Sequence, residues 1–199
     1  NANNQILEYM KKERVNINQK EALWSTSAAV VRLKNGEAEF FNIGDCLILA
    51  IFKNGFHKLL TPYIDHDLET IIKWRKLANK RIKNIRKVLE PQIIKVRRET
   101  NIKYGNLNGE KKTITFFVFG KIPLENIKSI IIFTDGLFIP KVNPEEPENW
   151  DLFVKLYQES GLEGILRYIR SLEKNDQNCW KYPRTKQHDD IAAIGIDFL

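Results

Sequence analysis

The sequence predicts an α+β fold in which an antiparallel β-sandwich is flanked by helices. Three observations support this prediction. Asn-Gly turns join short apolar runs in the first third of the chain, a stripe of apolar residues at helical spacing follows, and the run 130–133 is mostly β-branched and of strand length. A chain of 199 residues can form one such domain over 1–199.

The first strands are predicted by the turns that join them. Asn and Gly both tolerate positive φ, so Asn35-Gly36 and Asn54-Gly55 are strong hairpin signals. With Gly44-Asp45 as the turn between the two hairpins, the sequence predicts an antiparallel meander. Its strands would be Ser27–Leu33, Glu37–Ile43, Cys46–Phe52 and Phe56–Leu60. Later strands are predicted over Thr113–Phe119, Ile130–Phe133 and Ile191–Phe198.

Helices are predicted before, between and after these strands. The first covers Asn3–Glu13, and a long one runs from Asp65 or Asp67 to about Leu89, where Pro91 ends or kinks it. The apolar stripe of the long helix is Ile71, Trp74, Ala78, Ile82, Ile85 and Leu89. Asn149 is a predicted cap for a helix over Trp150–Glu159, which Gly161 stops before a second helix over Leu162–Leu172. A polar loop, 175–188, precedes the last strand.

The net charge of +7 is concentrated in one segment. Residues 73–98 hold eleven Lys or Arg and one acid, Glu90, so this segment carries +10 and the rest of the chain −3. We interpret 65–110 as a basic helical insertion whose apolar stripe packs on the domain while its charges face water. Such a segment could instead bind nucleic acid, an anionic membrane, or an acidic or phosphorylated partner. Nucleic-acid binding is the weaker reading, because a charge run is usually a solvated face.

The two cysteines, Cys46 and Cys179, form neither a metal-binding spacing nor a disulfide framework. A reducing, cytoplasmic setting is therefore the expectation. The longest apolar runs have strand length, far short of the ~20 residues that span a bilayer, so no membrane span is predicted.

Carboxylates stand at the ends of several predicted strands. Asp135 follows the buried run 130–133, Asp45 lies in a turn between strands, and Asp189 and Asp190 precede the last strand. Carboxylates without nearby Cys or His ligands are typical of sites for hard ions such as Mg²⁺ or Mn²⁺. The alternative is that surface turns are simply rich in Asp.

Four segments in chain order resemble the motifs of the metal-dependent serine/threonine protein phosphatases of the 2C type. They are Trp24-Ser25-Thr26-Ser27-Ala28-Ala29, Asn42-Ile43-Gly44-Asp45-Cys46, Thr134-Asp135-Gly136-Leu137 and His188-Asp189-Asp190-Ile191. The resemblance implies a β-sandwich flanked by helices that hydrolyses phosphoserine or phosphothreonine, with two Mn²⁺ or Mg²⁺ ions activating a bridging water.

The resemblance also implies roles for single residues. Asp135 and Asp189 would be ligands of the metal pair, Asp45 would lie near an additional metal position, and Asp190 is a further candidate ligand. His188 adjoins the Asp pair and is a candidate substrate-binding, acid or supporting group, although a lone loop His is more often only solvated. The partner would be a phosphorylated substrate or a regulatory protein.

The chain departs from the family pattern in ways that matter. The family's first motifs supply a phosphate-binding Arg, an acidic ligand and a bridging Asp-Gly, and nothing here replaces them, because Asp135-Gly136 is the only Asp-Gly. Leu47 stands where the family has Arg, and Ile139 where it tends to have an acid. The chain therefore resembles a family member without its N-terminal portion.

Three hypotheses follow from these features. The first is a phosphatase domain that is inactive as this chain, binds at most one loosely held ion, and dimerises through an unpaired sheet edge. The second is a non-catalytic pseudophosphatase that serves as a binding or regulatory module. The third is a nucleic-acid-binding protein that uses the basic helix.

Overall fold

The structure is a computed structural model that describes residues 2–198 and contains two antiparallel β-sheets packed face to face. The strands are β1 (Ala28–Lys34), β2 (Glu37–Ile43), β3 (Leu47–Phe52), β4 (His57–Leu59), β5 (Val118–Pro123), β6 (Ile127–Phe133) and β7 (Ala193–Asp197). The helices are α1 (Ala2–Lys12), α2 (Leu68–Asn79), α3 (Ile85–Val88), α4 (Glu90–Arg98) and α5 (Trp150–Lys174). One sheet has the order β1-β2-β5 and the other β4-β3-β6-β7. The predicted fold class, an antiparallel sandwich with flanking helices, is confirmed.

Two apolar clusters hold the sandwich together. Between the sheets lie Ala38, Ile48, Ala50, Ile127 and Ile130. On the other face of the four-stranded sheet, α5 packs its apolar side against β3 and β6. Because β3 is covered on both faces, five of its six residues are buried, as its uninterrupted apolar run requires. This rigid double-sided sheet carries the strand ends described below.

The predicted meander is wrong at its middle turn. The two Asn-Gly hairpins form, with β1 pairing β2 and β3 pairing β4. However, β2 pairs onward with β5, and β3 with β6, so the Gly44-Asp45 connection crosses from one sheet to the other. A turn between two apolar strands looks the same in sequence whether the second strand joins the same sheet or the facing one.

The long basic helix predicted from Asp65 or Asp67 to about Leu89 is broken into α2 and α3, and the separate helix α4 follows it. Arg81 and Asn84, between α2 and α3, have positive φ values of 56° and 55°, which no helix accommodates. Ile82 lies in this break and is 37% exposed, so its predicted place in the buried stripe is wrong. Pro91 stands in the first turn of α4 and so begins a helix where we expected it to end one.

The strand predicted over Thr113–Phe119 begins later than expected. A 3₁₀ helix occupies Lys111–Phe116, and β5 starts at Val118. The alternating Thr-Ile-Thr-Phe pattern suggested a strand, but the buried Thr113 hydroxyl is bonded to Asn101 and to the Asn106 carbonyl. These local bonds hold the segment in a turn, and Ile114 points away from the core with 68% exposure.

The C-terminal helix forms as its sequence signals predict. The Asn149 side chain accepts a hydrogen bond of 2.9 Å from the Leu152 amide, and Gly161 interrupts α5 with φ 64° and ψ −163°, a conformation open mainly to glycine. No helix within residues 2–198 has the length and apolarity needed to cross a membrane.

Candidate active-site cleft

Strand pairing brings three separate segments to one end of the four-stranded sheet. β6 is antiparallel to both β3 and β7, with Phe133 opposite Leu47 on one side and Ala193 on the other. The end of β6 therefore lies beside the beginnings of its two neighbours. For this reason the residues just before β3, just after β6 and just before β7 must be close in space, although they are far apart in sequence.

A cleft of about 200 Å³ opens at this end of the sheet. Asp45, Asp135 and Asp189 all line it. Three of the four carboxylates that the sequence singled out thus meet in one place, as expected if they act together. Whether they bind a metal remains a prediction.

Gly136 is required by the contact between two of these segments. A Cβ atom built on Gly136 would lie 2.2 Å from the Asp190 carbonyl oxygen, much closer than such atoms can approach. Next to it, the Thr134 amide donates to the Ala192 carbonyl at 3.0 Å, and the Ala192 amide donates to the Thr134 hydroxyl at 3.1 Å. The residue after Asp135 must therefore be glycine for the last strand to pack against the end of β6.

The carboxylates influence one another electrostatically. Asp135 is exposed where it lines the cleft, yet the protein around it displaces much of its hydration. This desolvation, followed by the charges of Asp45 and Asp189, raises the pKa of Asp135 to about 6. Asp45 itself is held by a short hydrogen bond from the Ser27 hydroxyl. This bond joins the motif-like segment 24–29 to the motif-like segment 42–46.

A lysine supplies positive charge inside this acidic cleft. The Lys186 ammonium lines the cleft and contacts the Asp189 carboxylate at 2.6 Å. This hydrogen bond, with the charges of Asp189, Asp135 and Asp190, raises the pKa of Lys186. This role could not be predicted from the sequence, because Lys186 is one of several cations in a polar loop and only the fold shows which carboxylates it faces.

His188 and Asp190, two of the predicted site residues, lie outside the lining of the cleft. The His188 ring nitrogen Nδ1 lies 2.8 Å from the carboxylate of Glu173, which is buried. Arg170 bonds the same carboxylate at 2.6 Å and donates to the Asp189 carbonyl at 2.7 Å. His188 thus has a supporting contact behind Asp189, and its substrate-binding role stays a prediction.

The cleft contains acidic residues that sequence reasoning assigned elsewhere. Asp65 and Asp67 are the two predicted starting points of the long helix, but the Asp67 side chain makes no capping bond and both residues line the cleft. Burial, with smaller contributions from the charges of Asp65 and Asp45, raises the pKa of Asp67 despite attraction from His66. The Asp-x-Asp spacing of Asp65 and Asp67 is the signal that the sequence offers, and it is equally typical of a helix start.

The described residues do not fit a dinuclear metal centre. Within residues 2–198, no group of three or more His, Cys, Asp or Glu is placed to hold a metal ion. Asp189, one of the predicted ligands, is instead paired with Lys186. The donor chemistry favours a hard cation, but the arrangement lacks the number of ligands that such an ion requires.

The fold matches solved structures of serine/threonine phosphatases of the 2C type. All of the chain superposes on 64% of the Toxoplasma gondii serine-threonine phosphatase 2C, with a TM-score of 0.57 and 13% identity. The Mycobacterium tuberculosis phosphatase PstP gives a TM-score of 0.52 and 13% identity, covering 98% of this chain and 67% of that one. A second PstP structure, of the catalytic domain with two manganese ions, gives a TM-score of 0.51 at the same identity and coverage.

No protein-family model matches the chain, and no curated protein matches its sequence. The likeness therefore lies in the three-dimensional structure. The chain has the fold of the 2C-type phosphatases, as its four ordered motifs indicated, and it spans 64% of the length of the Toxoplasma phosphatase.

Proposed function

We propose that this chain is part of a metal-dependent serine/threonine protein phosphatase of the 2C type. One observation carries the proposal: three distant segments bring Asp45, Asp135 and Asp189 into one cleft on this fold. The reaction class is hydrolysis of phosphoserine or phosphothreonine, and the partner class is a phosphorylated protein. Asp135 and Asp189 are the residues that we assign to Mn²⁺ or Mg²⁺ binding.

We further propose that this chain alone does not complete the catalytic centre. Each Mn²⁺ or Mg²⁺ ion takes about six oxygen ligands, and the described residues offer no group of three ligands. Two dications a few ångströms apart also need a bridging anion to offset their repulsion. At most one loosely held ion is expected.

Turnover of a phosphothreonine peptide with added Mn²⁺ tests this proposal, together with calorimetric titration of Mn²⁺. We expect no turnover, and weak binding with a stoichiometry of one or less that Asp135→Asn abolishes. Glu125→Gln, an exposed change outside the cleft, should leave that binding unaltered. Rapid turnover with two tightly bound ions would show that other carboxylates complete the centre and that our assignment of ligands is wrong.

A second candidate function is a non-catalytic binding or regulatory module on the same fold. The contact between Lys186 and Asp189 favours it, because a cation of the chain already occupies part of the acidic cleft. The two candidates differ in the response to a complementing segment. A phosphatase portion should gain Mn²⁺-dependent activity when it is joined to the upstream part of its own reading frame, whereas a binding module should stay inactive.

A further inference from the structure

The basic segment forms a groove on the side of the molecule where α3 and α4 meet. The groove has a volume of about 540 Å³. Its lining combines three cations, two isoleucines, one acid and one amide: Arg86, Lys87, Arg97, Ile93, Ile94, Glu90 and Asn84. We call this feature the basic groove. It is distinct from the cleft, since the two share no lining residue.

The positive charge of the basic groove is not neutralised within the described residues 2–198. There Lys87 and Arg97 form no ion pair, and Arg86 donates only to the uncharged Thr185 carbonyl, at 3.1 Å. Elsewhere in the same segment Lys73 and Lys95 are paired with Glu69, and Arg98 with Glu21. The three cations that line the groove therefore keep charge that no ion pair among the described residues offsets.

The basic segment carries further unpaired charge in addition to the cations that line the groove. Lys76, Lys80 and Lys83 are exposed, and no ion pair reaches them in the part of the chain that the structure describes. Closely spaced like charges repel one another, so an arriving anionic group gains attraction from several cations at once. The surface is thus complementary to a ligand with several negative charges.

The groove adjoins the cleft through the loop that carries Asp189. Arg86 bonds to Thr185, which lines the cleft, and Ile71 of α2 lines the cleft as well. The Trp74 indole N–H donates to the Cys179 carbonyl at 2.9 Å, so α2 also fixes the start of this loop. A chain bound in the groove would therefore lie next to the opening of the cleft.

The apolar residues decide which polyanion fits best. Ile93 and Ile94 line the groove, and the nearby Val88 is 53% exposed. Among the residues that the structure describes, no aromatic side chain on which a base could stack lines the groove. An acidic peptide with an apolar side chain uses both features of the surface, whereas a nucleic acid uses only the charge.

We propose that the basic groove docks an acidic, extended segment of a partner protein. Its carboxylates or phosphates would contact Arg86, Lys87 and Arg97, and an apolar side chain would lie against Ile93 and Ile94. The proposal rests on the proposed function in one respect only, namely that the partner is a substrate or a regulator of a phosphatase. Docking is measured without turnover, so the two proposals can fail separately.

Fluorescence anisotropy with short labelled peptides tests the proposal on the full chain. The probes are an Asp/Glu-rich peptide with one central Leu, the same peptide with Ser for Leu, and an Asn/Gln version without charge. A phosphoserine version distinguishes phosphate from carboxylate as the source of charge. We expect the Leu-containing acidic peptide to bind, the Ser version to bind about threefold to tenfold more weakly, and the neutral version not to bind.

The matched variants have equal changes in net charge. Arg86→Gln, Lys87→Gln and Arg97→Gln together should weaken binding at least about tenfold. Lys53→Gln, Lys58→Gln and Lys128→Gln, all exposed and outside the groove, should weaken it less than about twofold. Because loss of the Arg86 contact could disturb the loop, the single change Lys87→Glu at an exposed position should also weaken binding.

Three outcomes would overturn the proposal. Equal losses in the two triple variants would mean that only net charge matters. No difference between the Leu and Ser peptides would remove the role of the isoleucines. Tighter binding of an oligonucleotide of equal charge, equally sensitive to the groove variant, would identify the groove as a nucleic-acid surface instead.

Discussion

Lys186 has the position that most affects the chemistry of the cleft. Asp135, Asp189 and Asp45 face a common space, and the ammonium of Lys186 offsets part of their repulsion. Both partners are partly open to water, with the Lys186 side chain 52% exposed and that of Asp189 32% exposed. The ion pair is therefore a modest source of stability, of the order of 1 kcal/mol or less. Its larger effect should be on any cation that competes for Asp189.

Replacing Lys186 by Gln should have opposite effects without and with metal. Without metal the free energy of unfolding should fall by about 0.5–1 kcal/mol, because the carboxylates lose their counter-ion. With Mn²⁺ the affinity should rise severalfold, because the ion no longer meets a nearby positive charge. Urea unfolding in chelator and in millimolar Mn²⁺ measures both. Lys181→Gln, in the same loop but outside the cleft, is the control. Unchanged stability and unchanged affinity in K186Q would refute the counter-ion role.

Asp176 organises the polar loop that precedes Asp189. Its carboxylate, 8% exposed, accepts bonds from the amides of Trp180, Lys181 and Tyr182 and from Arg184, all between 2.8 and 3.1 Å. Burial alone would raise the pKa of Asp176, but these donors outweigh it and hold the pKa below its usual value. The loop thus depends on one ionised side chain.

Asp176→Asn should destabilise the fold in a pH-dependent way. At neutral pH we expect a loss of about 1–3 kcal/mol, since one buried acceptor is replaced by a donor. A group with a lowered folded-state pKa stabilises the protein above its unfolded-state pKa, near about 3.9, and loses this contribution as the pH falls through the folded value. The gap between wild type and D176N should therefore close below about pH 4. A gap that stays constant down to the acid unfolding limit would contradict the argument.

Among the helices and strands, the sequence predicted those whose formation depends on short-range sequence patterns. The uninterrupted apolar runs of β3 and of residues 130–133 in β6 predicted these two strands. Asn149 marked the start of α5 by capping, and Gly161 marked its interruption by its backbone conformation. The break between α2 and α3 could not be predicted, because the residues with positive φ, Arg81 and Asn84, are not glycines. Similarly, the 3₁₀ helix before β5 depends on contacts with Asn101 and Asn106, which are made only in the folded protein.

The α2 element also anchors the C-terminal loop, and one bond tests this link. Trp74→Phe removes the 2.9 Å bond to the Cys179 carbonyl while keeping an aromatic ring in the buried cluster of Trp74, Ala78, Ile85, Leu89 and Cys179. The unpaired buried carbonyl should cost about 1–3 kcal/mol. Hydrogen exchange should accelerate in 176–188 more than in β3. Trp150→Phe, in the cluster beneath the four-stranded sheet, is the matched control and should not affect that loop. Equal acceleration in both variants would refute a specific anchor.

For the whole molecule, the order of the motif-like segments predicted more of the site than the spacing of the carboxylates along the chain did. The order of Asp45, Asp135 and Asp189 indicated their convergence, and antiparallel pairing around β6 explains it. Asp65, Asp67 and Lys186 also line the cleft, yet none of the four motif-like segments includes them. Their position depends on how the segment after β4 and the loop before β7 close over the sheet, which is a property of the complete fold.

The three-stranded sheet should make the chain self-associate through β1. This strand is paired on one side only, and unpaired edges are templates for pairing with a second chain. Val30 of β1 and Phe119 of β5 are 53% and 70% exposed and flank Phe41 in the strand register, so this face of the sheet is apolar. Pairing of β1 with its copy would cover Val30. Arg32 and Lys34 oppose such pairing at one end, but an antiparallel arrangement centred on the uncharged half keeps these charges apart.

Light scattering after size-exclusion chromatography measures this association over a range of concentrations. We expect a dimer whose dissociation constant rises about tenfold or more in Val30→Lys, because the new charge would meet its own copy across the two-fold axis. Ile102→Lys makes the same change at a residue that is 61% exposed outside both sheets, so its dissociation constant should match wild type. A monomer at every concentration, or equal weakening by both substitutions, would mean that β1 is not the contact and that the exposed aromatic face serves another partner.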